Sequence, residues 1–271
     1  MTTFRDFFNA LRKLEIQRTS PVMIHASLSA FGEVQGGAET VLGALLGVFD
    51  TLVAPAFTYK TMIIPETGPK SNALVYGSGR DSNRLAEFFK PDMPADRLMG
   101  VIPETLRRHP LAKRSNHPIL SFAGINAEDI LKIQTLVEPL APIGAMWQRQ
   151  GWVLLLGVDH TVNTTIHYAE RLAGRVQFTR WALTPKGVVE CPGFPGDSAG
   201  FQAVSLRLEG VTRKAKVGSS VIQAVPMDNL VGVVRAWIAK DPLALLCSRP
   251  DCERCNAVRD SVTAKAATRF R

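Results

Sequence analysis

The chain has 271 residues, of which 46% are hydrophobic and 21% are charged, a composition typical of a globular domain with a substantial core. No apolar run approaches the roughly 18–20 residues that a membrane span needs, and the N-terminus lacks the continuous apolar segment of a secretory signal. These features exclude a membrane partner and predict a cytoplasmic protein.

The net charge is +8, which suits an anionic partner such as a nucleic acid, a membrane surface or a phosphate-bearing cofactor. The basic residues are scattered, apart from a basic tail over residues 256–271. Nucleic-acid binders present a one-sided basic stripe interleaved with aromatic residues, and this pattern is missing here. We therefore predict no nucleic-acid partner, and binding through the tail is the weakest alternative.

The first part of the chain predicts an α/β unit. Residues 4–18 have helical spacing of apolar side chains, and Val22–His25 reads as a short buried strand. A glycine pair and the helical segment "GGAETVLGALLGVF" follow, and "DTLVAPAFTY" predicts a second strand. This order favours two parallel strands joined through a helix. Residues 59–96 are turn-rich, and so long a loop is unusual in a compact domain unless it serves a site.

The remaining segments alternate between helices and strands. "MGVIPETLRRHP" and "APIGAMWQRQG" predict short helices, and "WVLLLGV" predicts a strand buried on both faces. Further on, "RVQFTRWALTPKGVVECPG" predicts a hairpin with a Lys-Gly turn, and "AKVGSSVIQAVPM" a strand pair. "GFQAVSLRLEG" and "DNLVGVVRAWIAKDP" predict helices. Because no repeat or linker interrupts this order, we predict a single α/β domain over residues 1–271.

Polar side chains concentrate where the strand "WVLLLGV" ends, in the segment "DHTVNTTIHYAERLAG". Asn163 or Thr164 predicts a helix N-cap, and Gly174 predicts the helix end. His167 then lies in the first turn, with Glu170 three residues later on nearly the same face. Open α/β sheets bind their ligands past the carboxyl ends of such strands, so this segment is a candidate site.

The helix N-terminus disfavours a positively charged imidazole, so we expect His167 to be neutral near pH 7. A neutral imidazole held by a carboxylate has what a general base needs, and either Asp159 or Glu170 is a candidate partner. Taken alone, the segment favours a simpler interpretation, in which the helix is capped and His167 packs on the sheet with one satisfied hydrogen bond. His160 precedes the helix and is the weaker candidate.

Two further segments supply polar groups. "IHASLSAFG" ends a strand just before the Gly36-Gly37 turn, which offers backbone N–H groups to a phosphate or serves only as a turn. "VIPETLRRHPLAKRSNHP" supplies Glu104, Arg114, Ser115 and His117. These are either additional site residues or only parts of a solvated helix face and a capped turn.

Together, these segments resemble the aminoglycoside 3-N-acetyltransferase family, which is distinct from the GNAT acetyltransferases. The matching blocks, in order, are "HASLSAFGEVQGGAETVLGALL", "TLVAPAFTY", "MGVIPETLRRHPLAKRSNHPILSFAGI", "PLAPIGAMWQRQGWVLLLGVDHTVNTTIHYAE" and, more weakly, "VGSSVIQAVPMDNLVGVVRAWI". They span roughly residues 21–238, and the order and spacing of several blocks make the resemblance specific.

The resemblance implies a three-layer α/β/α fold around a mixed, largely parallel sheet, with acetyl-coenzyme A as donor and an amine as acceptor. It implies an enzyme that acetylates aminoglycosides or similar amino sugars and so confers antibiotic resistance. His167 would be the general base, Glu104 would lie in the same site, and Asn163 and Thr164 would polarise the thioester carbonyl or orient the histidine. The implied coenzyme A contacts are His25, Ser27, Leu28, Gly36, Gly37, Arg114, Ser115 and His117.

The chemistry implied is direct transfer, because amine attack on a thioester needs a base and oxyanion donors but no covalent intermediate. Aminoglycosides are polycations, and the acids available for a local acidic pocket in this basic chain are Glu104, Asp159, Glu170 and Asp197. The alternative is a non-catalytic acyl-coenzyme A-binding or metal-stabilised interaction protein of the same fold.

The four cysteines, Cys191, Cys247, Cys252 and Cys255, lie outside the matched site blocks. Four thiolates would form a closed tetrahedral zinc site that staples the Cys-rich segment 247–255 to the hairpin. Zinc motifs of four cysteines usually contain two CxxC pairs, and this chain has one. The alternatives are reduced, packed thiols or a redox role, although this CxxC lacks the usual strand–helix context. A disulfide framework is not expected without a secretory signal.

Overall fold

The structure, a computed structural model, describes residues 1–269, with side chains described through residue 264. The helices are α1 (Phe4–Lys13), α2 (Gly37–Val48), α3 (Arg80–Arg84), α4 (Val101–Arg108), α5 (Glu128–Leu131), α6 (Ala141–Gln148), α7 (Thr164–Leu172), α8 (Ser205–Leu208), α9 (Met227–Lys240) and α10 (Glu253–Arg269). The strands are β1 (Val22–Ala26), β2 (Leu52–Pro55), β3 (Met62–Ile63), β4 (Ala112–Arg114), β5 (Phe122–Ile125), β6 (Trp152–Leu156), β7 (Phe178–Thr184), β8 (Gly187–Phe194), β9 (Arg213–Val217) and β10 (Ser220–Pro226).

The main sheet has the strand order β4-β5-β2-β1-β6-β10-β9 within the described residues. Strand β1 pairs in parallel with both β2 and β6, while β5, β4, β10 and β9 add antiparallel pairs on the two sides. The predicted mixed α/β sheet is confirmed, but its largely parallel character is wrong. The short connections of β4 to β5 and of β9 to β10 permit only antiparallel pairing, and the antiparallel β2–β5 and β6–β10 pairs join segments far apart in the chain.

The central strands are buried on both faces, and their side chains alternate between two apolar cores. Met23 and Leu155 pack with α6, α7 and α9 on one side of the sheet. Ile24 and Leu154 pack with α1, α2 and α4 on the other side. This alternation produces the predicted three-layer α/β/α arrangement.

Because β1, β2 and β6 are parallel, their carboxyl ends meet at one edge of the sheet. Gly157 follows β6 with a φ of +67°, and a Cβ there would lie 2.5 Å from the Ala30 side chain. Only glycine tolerates both this backbone conformation and this close approach, so the chain can turn directly from the strand towards α7.

A smaller sheet, with the order β3-β7-β8, lies beside this edge. The predicted hairpin is present as β7 and β8, but its turn is Pro185-Lys186 rather than Lys-Gly, because Gly187 already pairs with Thr184 as the first residue of β8. The segment 59–96, predicted to be irregular, contains the short elements β3 and α3. The helix predicted over residues 4–18 ends at Lys13, because Glu15 takes a left-handed φ of +50°. Among the described residues, no helix is both long and apolar enough to span a membrane.

Candidate active site

A cavity of about 1150 Å³ opens at the carboxyl ends of β1, β2 and β6. Its wall includes residues 24–29 at the end of β1 and just after it, residues 97–101 at the entry to α4, residues 161–164 at the start of α7 and residues 194–198 at the end of β8 and just after it. Pro103 of α4, His167 of α7, Arg180 of β7 and Arg254 of α10 also lie in the wall. The cavity therefore lies where the sheet topology predicts a ligand site.

Asn163 is the N-cap of α7, one of the two caps predicted from the sequence. Its side-chain Oδ1 accepts a hydrogen bond from the Thr165 backbone N–H at 3.1 Å, and its Nδ2 lies 3.1 Å from Nδ1 of His160. The cap fixes the first turn of α7 and directs the positive end of the helix dipole towards the cavity.

His167, one turn further along α7, forms the centre of a buried polar chain. Its Nδ1 lies 2.9 Å from Oε2 of Glu170, and the other carboxylate oxygen lies 2.5 Å from the Arg175 guanidinium. His167 is 8% exposed and Glu170 is 2% exposed, so both groups are shielded from water. The Phe201 ring packs edge-on against the imidazole, with 4.7 Å between ring centroids. Glu170, not Asp159, is therefore the carboxylate that holds the histidine.

The end of α7 explains how Arg175 reaches Glu170. Gly174 has a φ of +76°, its N–H bonds to the Arg171 carbonyl, and the Arg175 N–H bonds to the Glu170 carbonyl. These two hydrogen bonds define a Schellman motif, which turns the chain back over the last helical turn. The side chain of Arg175 is thereby returned to the carboxylate, and it also donates to the carbonyls of Pro242 and Ala244.

Two further histidines lie close to this site and are buried. Desolvation, with a smaller contribution from nearby His160, lowers the pKa of His25 to about 3. Burial lowers the pKa of His160 to about 4. Both side chains are therefore neutral near pH 7, and His25 lines the cavity as a polar but uncharged group.

The aminoglycoside 3-N-acetyltransferase family model matches residues 23–239, most of the chain and all of the cavity wall from β1 to β8. The chain belongs to this family. The resemblance inferred from the sequence blocks is thereby confirmed.

Two curated relatives and one solved structure support this membership. The chain is 34% identical over 169 residues to the SPbeta prophage-derived aminoglycoside N(3')-acetyltransferase-like protein YokD of Bacillus subtilis (strain 168), covering 59% of this chain and 61% of the relative. It is 32% identical over 190 residues to aminoglycoside N(3)-acetyltransferase III of Salmonella sp., covering 67% and 64%. The chain thus spans less than two thirds of the length of these relatives in sequence. The crystal structure of YokD protein from Bacillus subtilis superposes with a TM-score of 0.77 at 26% identity, covering 89% of this chain and 94% of that chain.

In this acetyltransferase-family chain, some of the predicted site residues meet at the cavity and others do not. Those that line it are His25, Ser27, Leu28, Asn163, Thr164 and His167. Glu170 lies behind His167 and supports it. Asp159 is exposed, and its carboxylate accepts hydrogen bonds from the backbone and side chain of Thr161, so it caps the turn before α7.

Glu104 does not line the cavity, which corrects its predicted placement. It lies on α4 beside the lining residue Pro103, but its carboxylate turns away to Arg107, 2.7 Å distant. Burial raises the pKa of Glu104, and the hydrogen bonds from Arg107 and from the Ala95 N–H outweigh this effect, so the net pKa is lowered. Its charge is therefore neutralised within α4.

The predicted coenzyme A contacts Arg114, Ser115, His117, Gly36 and Gly37 also lie off the cavity wall. The Arg114 guanidinium donates to the Ala56 carbonyl just after β2, and the Ser115 hydroxyl donates to the Phe122 carbonyl of β5. Nδ1 of His117 accepts the N–H groups of Ile119 and Leu120 and so holds the β4–β5 loop. Gly36 and Gly37 have φ values of +73° and +60° and form the turn into α2. These residues therefore hold turns and loops of the fold, and their contact with coenzyme A stays a prediction.

The charges around the cavity differ from the acidic pocket considered from the sequence. Of its four candidate acids, only Asp197 lines the wall, and within the described residues it is the only lining carboxylate. The lining arginines are Arg97, Arg180 and Arg254. Arg180 is tied to the carbonyls of Asn72 and Thr179, and burial lowers its pKa to about 10.

Sequence reasoning missed Arg175 and, apart from Asp197, the contribution of the loop 194–198. The signal for Arg175 was present, since it directly follows the predicted C-terminal glycine of α7 and lies five residues after Glu170. The other residues of the loop carry no comparable signal, because they reach the cavity only through the pairing of β7 and β8.

The predicted cysteine set also needs a correction. Cys191 lies on β8 and packs into the apolar core, away from the other three cysteines. Cys247, Cys252 and Cys255 lie together, and the fourth potential ligand beside them is Asp197. All four cysteines are free thiols and are buried.

Removing Arg175 should destabilise the protein strongly, because Glu170 would keep a buried charge with no cation. We expect Arg175→Ala to lower the free energy of unfolding by about 3–5 kcal/mol in urea denaturation at pH 7. The matched control is Arg149→Ala, which breaks the half-exposed ion pair with Asp129 and should cost about 1 kcal/mol or less. Equal losses in the two variants would contradict the structural role of the buried pair.

The buried His117 should make the fold sensitive to acid. Burial lowers its pKa from 6.5 to about 4, so the unfolded chain binds a proton more readily than the folded one between these values. Stability should therefore fall as the pH drops from 6.5 towards 4.

The variant His117→Asn tests this acid sensitivity, because an asparagine side chain keeps an acceptor near the position of Nδ1 but cannot titrate. We expect it to lose less stability than the wild type between pH 7 and pH 5, by on the order of 2 kcal/mol in urea unfolding. Identical losses for the two proteins would refute this assignment.

Proposed function

We propose that this chain is an acetyl-coenzyme A-dependent N-acetyltransferase that acetylates an amine of an aminoglycoside or a similar amino sugar. The observation that carries the proposal is the buried chain His167–Glu170–Arg175 at the wall of the large cavity. Family membership and the names of the curated relatives support the substrate class.

His167 has the geometry of a general base. Glu170 is ion-paired with Arg175 and so accepts from Nδ1–H of His167, which leaves the lone pair on Nε2. The imidazole lies in the cavity wall, where this lone pair is available to a bound amine. The arrangement fixes the tautomer and the ring orientation, as general-base catalysis requires.

Coenzyme A is the proposed donor. A solved structure of the same fold, AAC-IIIb, is a binary complex with CoASH, and its 22% identity and TM-score of 0.70 establish the likeness of fold. Here the turn after β1 presents His25, Ser27 and Leu28 to the cavity, and the Oγ atoms of Ser27 and Ser29 lie 3.1 Å apart. We assign these groups to contacts with the pantetheine arm.

The proposed reaction is direct transfer. The amine nitrogen attacks the thioester carbonyl carbon, Nε2 of His167 takes the proton from the nitrogen, and the C–S bond breaks to release the coenzyme A thiolate. The start of α7, with Thr164, faces the cavity and supplies positive potential for the oxyanion. Both polar atoms of the Asn163 side chain are already engaged with Thr165 and His160, so we assign Asn163 to holding the helix start. Within the described residues, no cysteine lines the cavity, which agrees with a mechanism without an acyl-enzyme.

The experiment is a coenzyme A release assay with aminoglycosides of contrasting ring structure. His167→Ala should lower kcat by about 10²–10⁴-fold, because the amine loses its base. Acetyl-coenzyme A binding, measured by calorimetry, should stay within a few-fold of the wild type. The matched control is His109→Ala, at the end of α4 and outside the cavity wall, which should retain wild-type kcat.

Wild-type turnover by His167→Ala would disprove the assignment of the base. If the wild type bound acetyl-coenzyme A but released no coenzyme A with any amine tested, the non-catalytic acyl-coenzyme A-binding alternative would be supported instead.

A further inference from the structure

We propose that Cys247, Cys252, Cys255 and Asp197 bind a zinc ion that joins the segment 247–255 to the cavity wall. This metal site is separate from the acetyl-transfer chemistry. It differs from the set of four cysteines expected from the sequence, because a carboxylate takes the place of Cys191.

The first argument is the distance between the ligand atoms. One carboxylate oxygen of Asp197 and the three Sγ atoms all lie within 4.8 Å of one another. Tetrahedral zinc with Zn–S bonds of about 2.3 Å places its sulfur ligands about 3.8 Å apart. The four atoms therefore need only a small contraction to close around an ion.

The second argument is the environment of the thiols. Cys247, Cys252 and Cys255 are 4%, 8% and 1% exposed, yet they form a cluster of their own with Leu246 packed against it, outside both apolar cores. Cysteines that act only as small apolar side chains pack among aliphatic and aromatic groups, as Cys191 does. Three buried thiols facing one another and a carboxylate form a donor set for a metal that prefers sulfur ligands.

The third argument is local backbone structure. Cys252 immediately precedes α10 and Cys255 lies in its first turn, so the CxxC pair straddles the start of a 17-residue helix. The positive partial charge at this end of the helix interacts favourably with an anionic metal–thiolate cluster. The thiolate is the form that binds zinc.

The fourth argument is charge. A dipositive ion with four anionic ligands has two excess negative charges. The guanidinium groups of Arg249 and Arg254 lie 3.0 Å and 3.6 Å from Oδ2 of Asp197 and supply compensating positive charge. Oδ1 of Asp197 accepts the Ala199 N–H at 2.9 Å, which orients the carboxylate as outer-sphere partners do in zinc sites.

The site has a structural consequence for the cavity. Asp197 and Arg254 both line its wall, and Arg254 also donates to the Gly196 carbonyl at 3.0 Å. An ion on Asp197 and the cysteines would cross-link the loop 194–198 to the start of α10. The mobility of this part of the cavity wall would then depend on the metal.

The test is metal analysis of the full chain produced in zinc-supplemented medium and purified without chelator. We expect one zinc per chain by plasma mass spectrometry. Titration of the native protein with a mercurial thiol reagent should release that zinc, detected by a chromogenic chelator, so the result does not depend on folding of a variant. Cobalt exchanged into the site should show thiolate-to-metal charge-transfer absorption and the visible bands of tetrahedral cobalt.

Matched variants separate the ligands from the remaining cysteine. Cys252→Ser and Cys255→Ser should lose the bound zinc, whereas Cys191→Ala should retain one zinc per chain. Asp197→Asn should weaken zinc retention against a competing chelator by about tenfold or more.

Zinc content near zero in the wild type would overturn the proposal, as would a disulfide between Cys252 and Cys255 in the freshly purified protein. Full zinc content in Cys252→Ser, or its loss in Cys191→Ala, would also overturn the assigned ligand set.

Discussion

The carboxylate of Glu170 connects the fold of this protein to its proposed chemistry. It is 2% exposed and bonds to the His167 imidazole through one oxygen and to the Arg175 guanidinium through the other. A carboxylate so far from water is costly unless a cation and hydrogen bonds satisfy it. The Schellman turn at Gly174 supplies the cation, and one α-helical turn supplies the histidine. The same geometry that makes the buried charge tolerable therefore fixes the orientation of the imidazole.

The surroundings of the cavity bear on the base role proposed for His167. Burial keeps His25 and His160 uncharged near pH 7, so they add polarity but no positive charge beside the cavity. Glu104, which could have added negative charge, is neutralised by Arg107 within α4. Among the described residues, the carboxylate on the cavity wall is consequently that of Asp197, on the loop that the proposed zinc site would hold.

Much of the layout was predictable, because the physical signals are local. The apolar run in β6 and the helical spacing in α2 and α9 identify elements from sequence neighbours alone. The helix that carries His167 was bracketed by its cap, Asn163, and by Gly174, both of which act within one or two turns. Strand direction was harder to predict, because it depends on how distant segments pair. The antiparallel outer strands therefore made the sheet less parallel than expected.

For this protein, the sequence by itself determined the elements, the family and the candidate base His167, because periodicity, caps and ordered blocks are carried by adjacent residues. Only the tertiary structure decided which polar groups meet. It paired Glu170 rather than Asp159 with His167, removed Glu104 and His117 from the cavity wall, and placed Asp197 rather than Cys191 beside the three cysteines. These outcomes depend on distances between residues far apart in the chain, and such distances are set by the packing of the two cores and the two sheets.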